Sequence, residues 1–172
     1  MKKILLLGYM GSGKSIVGKL VAERLGISFY DLDHFIEKRF EMSISEIFKQ
    51  KGEIFFRKIE HEIFKEFLTK EETFVLSLGG GTPCYANNHL LLSGENVSSV
   101  YLNASIGTLC ARLIEERQNR PLIANLDDDE FKEYIAKHLF DRSYFYNQAN
   151  FKIFVNEKSP DLISTEIVNL LT

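Results

Sequence analysis

The chain has 172 residues, 45% of them hydrophobic and 26% charged, which is ordinary for one globular domain and argues against a disordered tail, a collagen or a membrane protein. The net charge of −3 predicts no general attraction to nucleic acid or to an anionic membrane, so an anionic ligand must be held by locally placed donors. The two cysteines, Cys84 and Cys110, indicate neither a zinc site nor a disulfide framework. We expect a reducing, cytoplasmic setting, without a secretion signal or membrane span.

Short strand-like runs alternate with longer helical patterns along the chain. The run Ile4–Leu7 is continuously apolar, which is typical of a strand buried on both faces. The predicted strands are Ile4–Leu7, Ser28–Asp33, Phe74–Leu78, Val97–Leu102 and Phe151–Val155. Because helical segments separate them, we predict a three-layer α/β domain whose five-stranded parallel sheet lies between helices, with ligands at the carboxyl ends of the strands.

Five helices are predicted along the chain, and capping signals mark the start of two of them. The predicted helices are Lys14–Leu25, one opened by a capping box at Ser43, Ile54–Leu68, one containing Leu109 and Leu113, and one running from Pro160 to Leu170. The segment 115–130 departs from this pattern, because eight of its 16 residues are charged and its apolar residues show no amphipathic period. We interpret its first half as a mobile flap and Asp127–Glu130 as the acidic first turn of another helix.

The segment Gly8–Ser15 reads G-Y-M-G-S-G-K-S, a complete phosphate loop between a predicted strand and a predicted helix. Its glycines let the backbone curl until the N–H groups point at phosphate oxygens, and the helix adds the positive end of its dipole. Lys14 would reach the β- and γ-phosphates of a nucleoside triphosphate, and the Ser15 hydroxyl would ligate Mg²⁺. The alternative is a glycine-rich turn without a ligand.

Asp31 and Asp33 end the second predicted strand. Because residues two apart on a strand point to the same side, both carboxylates are expected to face one site. In a phosphoryl-transfer enzyme one would organise the waters around Mg²⁺ and the other would accept the proton of the attacking hydroxyl. The alternative is that Asp33 only caps a helix that begins near His34.

Two features of the middle of the chain point to an anionic ligand. Arg57 and Glu60 lie three apart on a predicted helix, either as a surface ion pair or as an arginine that Glu60 orients toward a substrate. Gly79–Gly81 follows the third predicted strand, where one glycine would suffice for a turn, so three indicate a ligand close to the backbone.

Two further arginines have a functional and a plain interpretation. Arg120 in the flap either closes onto the transferred phosphoryl group or is a solvated loop residue. Arg142 precedes Tyr146 by four positions, which suits either a second substrate arginine or an ordinary helix surface.

Together these motifs resemble those of the shikimate kinase family, a group of P-loop kinases, over nearly the whole chain. Six ordered matches carry the resemblance: the loop Gly8–Ser15, Asp31-Leu32-Asp33, Phe56-Arg57-x-x-Glu60, Leu76 to Gly81, Arg120-Pro121-Leu122 and Arg142-x-x-x-Tyr146. The resemblance implies transfer of the γ-phosphoryl group of ATP, with Mg²⁺, to the 3-hydroxyl of shikimate. It also implies the sheet order 2-3-1-4-5.

The resemblance also implies roles for the individual residues. Those implied to bind ATP are Gly11, Ser12, Gly13, Lys14, Ser15, Ile16 and Arg120, although Ile16 replaces the family's usual threonine. Those implied to bind shikimate are Asp33, Arg57, Gly79, Gly80, Gly81 and Arg142, the two arginines near its carboxylate. Ser15 and Asp31 are implied to serve Mg²⁺, and Lys14, Asp33 and Arg120 to act in catalysis.

We therefore expect one kinase domain over residues 1–172, with a lid at about 113–126 and a substrate-binding region at about 33–61. The expected partners are shikimate and ATP, with no nucleic acid or membrane, and the expected state is a monomer. Another small-metabolite kinase, such as a gluconate kinase, is the alternative enzyme. A nucleotide-dependent binding module is the alternative that is not an enzyme.

Overall fold

The structure is a computed structural model that describes residues 2–119 and 123–172. In these ranges the elements are β1 Lys3–Leu7, α1 Lys14–Leu25, β2 Ser28–Asp31, α2 Leu32–Phe40, α3 Ile44–Lys51, α4 Glu53–Thr69, β3 Phe74–Ser77, β4 Val97–Asn103, α5 Ile106–Leu113, α6 Asp128–Tyr146, β5 Phe151–Phe154 and α7 Pro160–Leu171. Three short 3₁₀ turns occupy Thr82–Cys84, Asn88–Leu91 and Arg117–Asn119. Within the described part of the chain, no α-helix is both long enough and apolar enough to cross a bilayer.

The five strands form one parallel sheet in the order β2-β3-β1-β4-β5, which confirms the predicted fold class and strand order. The apolar strand β1 lies at the centre, with Leu5 paired to Leu76 on one side and to Ser99 on the other. Residues Ile4–Leu7 are at most 1% exposed because helices cover both faces of the sheet. This burial anchors the loop that leaves β1, and the carboxyl ends of the strands form one edge above it.

The helix ends follow their predicted signals closely. Ser43 caps α3 in a full capping box, and Ser159 caps α7 with Pro160 in its first turn. Asp127 caps α6 and pairs with Glu130 in a second capping box, so the acidic residues do open a helix. These caps satisfy N–H groups that have no partner within the helix, which fixes where each helix begins.

The predicted strand over Ser28–Asp33 is wrong at its end. Strand β2 stops at Asp31, and α2 begins at the next residue. The Asp31 carboxylate accepts a hydrogen bond of 3.1 Å from the backbone N–H of His34, so it caps the helix. Asp33 therefore lies in the first helical turn, and it is neither a strand residue nor the cap.

Candidate active site

The phosphate loop joins the centre of the sheet to the N-terminus of α1. Gly11 and Gly13 have φ values of 82° and 96°, a left-handed conformation that side chains disfavour. Gly13 caps α1 without a side chain, so the first N–H groups of the helix are open to an anion. The Lys14 Nζ donates to the carbonyl oxygens of Gly8 at 2.8 Å and Tyr9 at 3.2 Å, which holds its charge over the loop.

The charge of Lys14 is poorly solvated. Burial lowers the pKa of its ammonium to about 8, although Asp33 and Asp31 oppose this shift. Phosphate groups in the loop would supply the negative charge that the ammonium lacks in the free protein. The lysine is therefore suited to bind a polyphosphate.

Ser15 and Asp31 form an oxygen pair beside Lys14. The Ser15 hydroxyl donates to Asp31 Oδ2 at 2.9 Å, while Oδ1 of the same carboxylate caps α2. A hydroxyl and a carboxylate are hard ligands of the kind that Mg²⁺ prefers, so the pair fits this ion. The described residues hold no group of three or more His, Cys, Asp or Glu side chains that could form a metal site. Mg²⁺ commonly has only one or two protein ligands beside nucleotide phosphates and water.

Asp33 faces the same cleft from α2. Burial raises the pKa of its carboxyl to about 6, with further contributions from Glu60 and Asp31, while Lys14 opposes the shift. The group is thus a stronger proton acceptor than an exposed aspartate. Asp31 and Asp33 do reach one cleft, through a helical turn instead of a shared strand face.

Arg57 belongs to a buried ion pair, so the interpretation as a surface pair is wrong. Its Nη1 lies 2.9 Å from Oε1 of Glu60, whose side chain is 1% exposed. The other Glu60 oxygen accepts a hydrogen bond of 2.9 Å from Thr82, and the Thr82 carbonyl accepts one of 2.9 Å from Asn88. The Arg57 guanidinium also lies over the Tyr85 ring, 3.9 Å from its centroid. These contacts fix the arginine at the wall of the cleft.

The three consecutive glycines are explained by close side-chain approach. None of them has a positive φ, so the backbone itself does not require glycine. A Cβ at Gly79 would lie 2.8 Å from the Asp33 carboxylate, one at Gly80 3.0 Å from the Arg142 guanidinium, and one at Gly81 2.8 Å from the Arg57 guanidinium. Each glycine thus leaves space for one charged side chain.

Arg142 projects from α6 into the cleft instead of lying on a plain helix surface. Tyr146, one turn further, is fully buried, and its hydroxyl donates to the Gly80 carbonyl oxygen at 2.6 Å. This hydrogen bond holds the arginine-bearing helix against the glycine segment, so Arg142 and Arg57 are both fixed beside Gly79–Gly81.

The cleft has a volume of about 1020 Å³ and combines most of the residues singled out in the sequence. The predicted residues that line it are Lys14, Ser15, Asp31, Asp33, Arg57, Gly79, Gly80, Gly81 and Arg142. Gly11, Ser12 and Gly13 form the phosphate loop itself, whereas Ile16 has a side chain that is 60% exposed and lies outside the lining. Arg120 lies outside the described residues.

Sequence reasoning left several residues at the cleft or beside it without an assigned role. Arg112 on α5 donates to the Gly11 carbonyl oxygen at 3.0 Å and so lies against the phosphate loop. Phe48 and Phe56 supply an apolar wall on the side of Arg57. The only signal for Phe48 was the apolar face that it shares with Ile44, four positions earlier, and such a face usually indicates core. Arg112 could not be assigned from the sequence, because it lies near but out of register with an arginine often found at the base of the family's lid, and its partner is a distant backbone carbonyl.

A phosphate loop at the centre of a 2-3-1-4-5 parallel sheet, facing a cleft with two arginines and an aspartate, defines a P-loop kinase for a small anionic substrate. The family model of shikimate kinase matches residues 10–172. The chain therefore belongs to the shikimate kinase family, which confirms the resemblance seen in the sequence.

Individual relatives agree with this assignment over the full length. A shikimate kinase of Flavobacterium johnsoniae is 54% identical over 99% of both chains. The crystal structure of a shikimate kinase from Bacteroides thetaiotaomicron superimposes with a TM-score of 0.89 at 34% identity, covering 99% of this chain and 98% of that one. The structure of a shikimate kinase from Acinetobacter baumannii in complex with shikimate superimposes with a TM-score of 0.86 at 31% identity. The match covers 99% of this chain and 93% of that one.

Proposed function

We propose that this cleft carries out the reaction of the family, in which the γ-phosphoryl group of ATP passes to the 3-hydroxyl of shikimate and leaves ADP. The observation that carries the proposal is the convergence of Asp33, Arg57 and Arg142 on one glycine segment that lines the same cleft as Lys14. A polyphosphate site and a carboxylate site thus share one cavity. This arrangement favours a substrate with a carboxylate. The preference for the ring of shikimate over an open-chain sugar acid rests on the family to which the chain belongs.

The phosphates of ATP are proposed to lie on the loop from Gly11 to Ser15. Backbone N–H groups of the loop and of the first turn of α1, including that of Ile16, would donate to their oxygens. Lys14 would lie between the β- and γ-phosphates and regain there the charge stabilisation that burial denies it. Ser12 also belongs to this loop, and its buried hydroxyl has no hydrogen-bond partner among the described residues.

Shikimate is proposed to lie between α2, α4 and α6. Arg57 and Arg142 would bind its carboxylate, since a guanidinium offers paired N–H donors in the plane that a carboxylate accepts. Glu60 keeps Arg57 oriented, and the glycine segment 79–81 lets the substrate and these side chains approach the backbone. Asp33 would accept a hydrogen bond from the hydroxyl that attacks.

Mg²⁺ is proposed to be held by the Ser15 hydroxyl, with Asp31 orienting its waters. When bound, the ion would neutralise negative charge on the phosphates of ATP. The hydrogen bond between the two side chains already places the oxygens together. Asp31 would orient the waters of the ion while Asp33 serves the acceptor hydroxyl.

Catalysis in this proposal consists of positioning and charge stabilisation. Asp33, with its pKa near 6, would orient the hydroxyl and take its proton as the bond to phosphorus forms. Lys14 and Arg120 would stabilise the charge on the transferred group. A lid at about 113–126 would exclude water, which would otherwise compete as the acceptor.

We also propose that the protein acts as a monomer in the cytoplasm. One chain supplies the phosphate loop, Asp33, Arg57 and Arg142 to the cleft, which suits a monomeric kinase. Cys84 and Cys110 are both unpaired thiols, which suits a reducing compartment.

A coupled assay of ADP release is expected to show shikimate as clearly the best acceptor among shikimate, gluconate, nucleoside monophosphates and water. The two cleft arginines are proposed to bind a carboxylate, which nucleoside monophosphates and water lack, and the family favours the ring of shikimate over the open chain of gluconate. Equal rates with gluconate would support the alternative kinase. Binding of ATP without turnover of any acceptor would support a nucleotide-dependent binding module.

Arg120 is expected to matter only after ATP binds. We expect Arg120→Ala to leave shikimate binding nearly unchanged but to lower kcat severely, because the arginine would act on the transferred group. Limited proteolysis within residues 115–126 should slow when ADP and shikimate are both present. Equal cleavage rates in the free and doubly liganded protein would contradict a closing lid.

A further inference from the structure

Tyr9 in the phosphate loop makes a contact that the proposed chemistry does not use. Its side chain is 1% exposed, and its hydroxyl lies 2.9 Å from Nδ1 of His138 on α6. The two rings also meet edge to face, with centroids 5.4 Å apart. A residue between the first two glycines of a phosphate loop thus holds a helix from the far end of the chain.

His138 lies one turn before Arg142 on the same face of α6. The Arg142 guanidinium lies 5.7 Å from the centroid of the Tyr9 ring, so the tyrosine contacts both consecutive turns of this face. On the far side of Arg142, Tyr146 fixes the helix to Gly80. The arginine is therefore held between two tyrosine hydrogen bonds, one to the phosphate loop and one to the glycine segment.

We infer that Tyr9 and His138 are positioning residues for Arg142, and that their hydrogen bond sets the affinity for shikimate without touching it. The inference rests on the proposed function, because it takes Arg142 as a ligand of shikimate. A guanidinium must match a carboxylate in both position and plane, so a small rotation of α6 would weaken the pair. The contact with the Tyr9 ring links the side chain of Arg142 to the phosphate loop.

The charge state of His138 suits this task. Burial lowers the pKa of its imidazole, and Arg142 lowers it further, while Asp141 opposes the shift. A neutral ring with its proton on Nε2 accepts the Tyr9 hydrogen bond at Nδ1. A neutral ring also adds no second cation beside the carboxylate site.

Tyr9→Phe is the first test, because it removes the hydroxyl and keeps the ring. We expect the Kd for shikimate, measured by calorimetry, to rise about fivefold, as is usual for one hydrogen bond. His138→Leu should raise it by a similar factor, and the double variant should be no worse than either single one, because both remove the same bond. His138→Asn, whose side-chain oxygen can replace Nδ1, should restore most of the affinity.

Tyr30→Phe is the matched control, because it also removes a tyrosine hydroxyl but outside the cleft. The Tyr30 hydroxyl donates a hydrogen bond of 3.0 Å to Glu72. Arg142→Lys tests the proposed function of Arg142 separately from the positioning role of Tyr9 and His138. If this variant leaves the Kd for shikimate unchanged, Arg142 is not a ligand of shikimate and the proposed function fails. If Arg142→Lys weakens binding but Tyr9→Phe and His138→Leu change the Kd less than twofold, the positioning inference alone is overturned. An equal loss of ATP and shikimate affinity that His138→Asn does not restore would also overturn it, because that pattern indicates a general loss of structure.

Discussion

Lys14→Met is expected to nearly abolish turnover while the protein stays folded. The ammonium lies over the phosphate loop, held by two backbone carbonyls, and it is the charge nearest to where the β- and γ-phosphates are proposed to lie. Methionine keeps the length of the side chain and removes the charge, so the loss falls on charge stabilisation in the transition state. Steady-state kinetics at saturating ATP and shikimate measure the effect.

Thermal unfolding provides the companion measurement. Burial lowers the pKa of Lys14 from 10.5 to about 8 in the folded protein without nucleotide. The charged lysine therefore lowers the free energy of unfolding, and this loss grows as the pH falls from 10.5 to about 8 and is complete below that pH. Lys14→Met should therefore be at least as stable as the parent at pH 7. Lys19→Met, an exposed change further along the same helix, is the control and should leave turnover unchanged. Near-normal turnover of a folded Lys14→Met variant would remove this lysine from the mechanism.

Asp33→Asn is expected to lower kcat by roughly 10²-fold or more, in the range for loss of a general base or an orienting carboxylate. The amide can still hydrogen-bond a hydroxyl, but it has no charge and cannot take the proton. In the parent, kcat/KM should fall as the pH drops through about 6, because Asp33 becomes protonated there. The pH profile of the variant should not show this decrease. The affinity for ATP should stay nearly constant.

Asp31→Asn should fail in a different way. Its carboxylate bonds to the Ser15 hydroxyl and caps α2, so we expect a higher Mg²⁺ concentration for the half-maximal rate. A Mg²⁺ titration at saturating shikimate, run on both variants, separates the roles. The same metal dependence and the same loss of rate in both would contradict the division of labour between the two carboxylates.

Asp33→Asn should also change stability in a direction opposite to activity. Since the pKa of Asp33 is raised from 3.8 to about 6 in the folded protein, its contribution to stability is greatest below pH 4 and is lost as the pH rises through 6. Above that pH the parent carries a poorly solvated carboxylate. The variant should therefore melt at a higher temperature than the parent at pH 8, and this gain should shrink as the pH approaches 4.

The sequence was sufficient for the architecture and for the parts of the site that are continuous in the chain. Apolar runs that end in glycine or aspartate mark buried parallel strands, and the phosphate loop is a local conformation that its own residues determine. Lys14 and Ser15 could therefore be placed at the end of a phosphate loop before the fold was known. The capping residues Ser43 and Ser159 located helix starts for the same reason.

Long-range contacts account for what could not be predicted. Spacing alone does not show that Glu60 is buried, because its partner Thr82 is 22 positions away. The start of α2 depends on whether the Asp31 side chain accepts a hydrogen bond from a backbone N–H or the residue continues the strand. The local sequence is compatible with both conformations. Tyr9 and His138 are 129 positions apart, and neither residue type signals the other.

The glycine segment 79–81 has a consequence for the folding equilibrium. Glycine loses more conformational freedom on folding than alanine does, by about 0.4–1 kcal/mol at a position that tolerates a side chain. Here the space for that side chain is taken by Asp33, Arg57 and Arg142, so a methyl group would displace the groups that the proposed chemistry requires. The larger conformational entropy of three adjacent glycines in the unfolded chain thus lowers the free energy of unfolding by roughly 1–3 kcal/mol in total. The proposed substrate site therefore limits the thermostability of the protein, because a more rigid backbone there would displace the side chains that are proposed to bind the substrate.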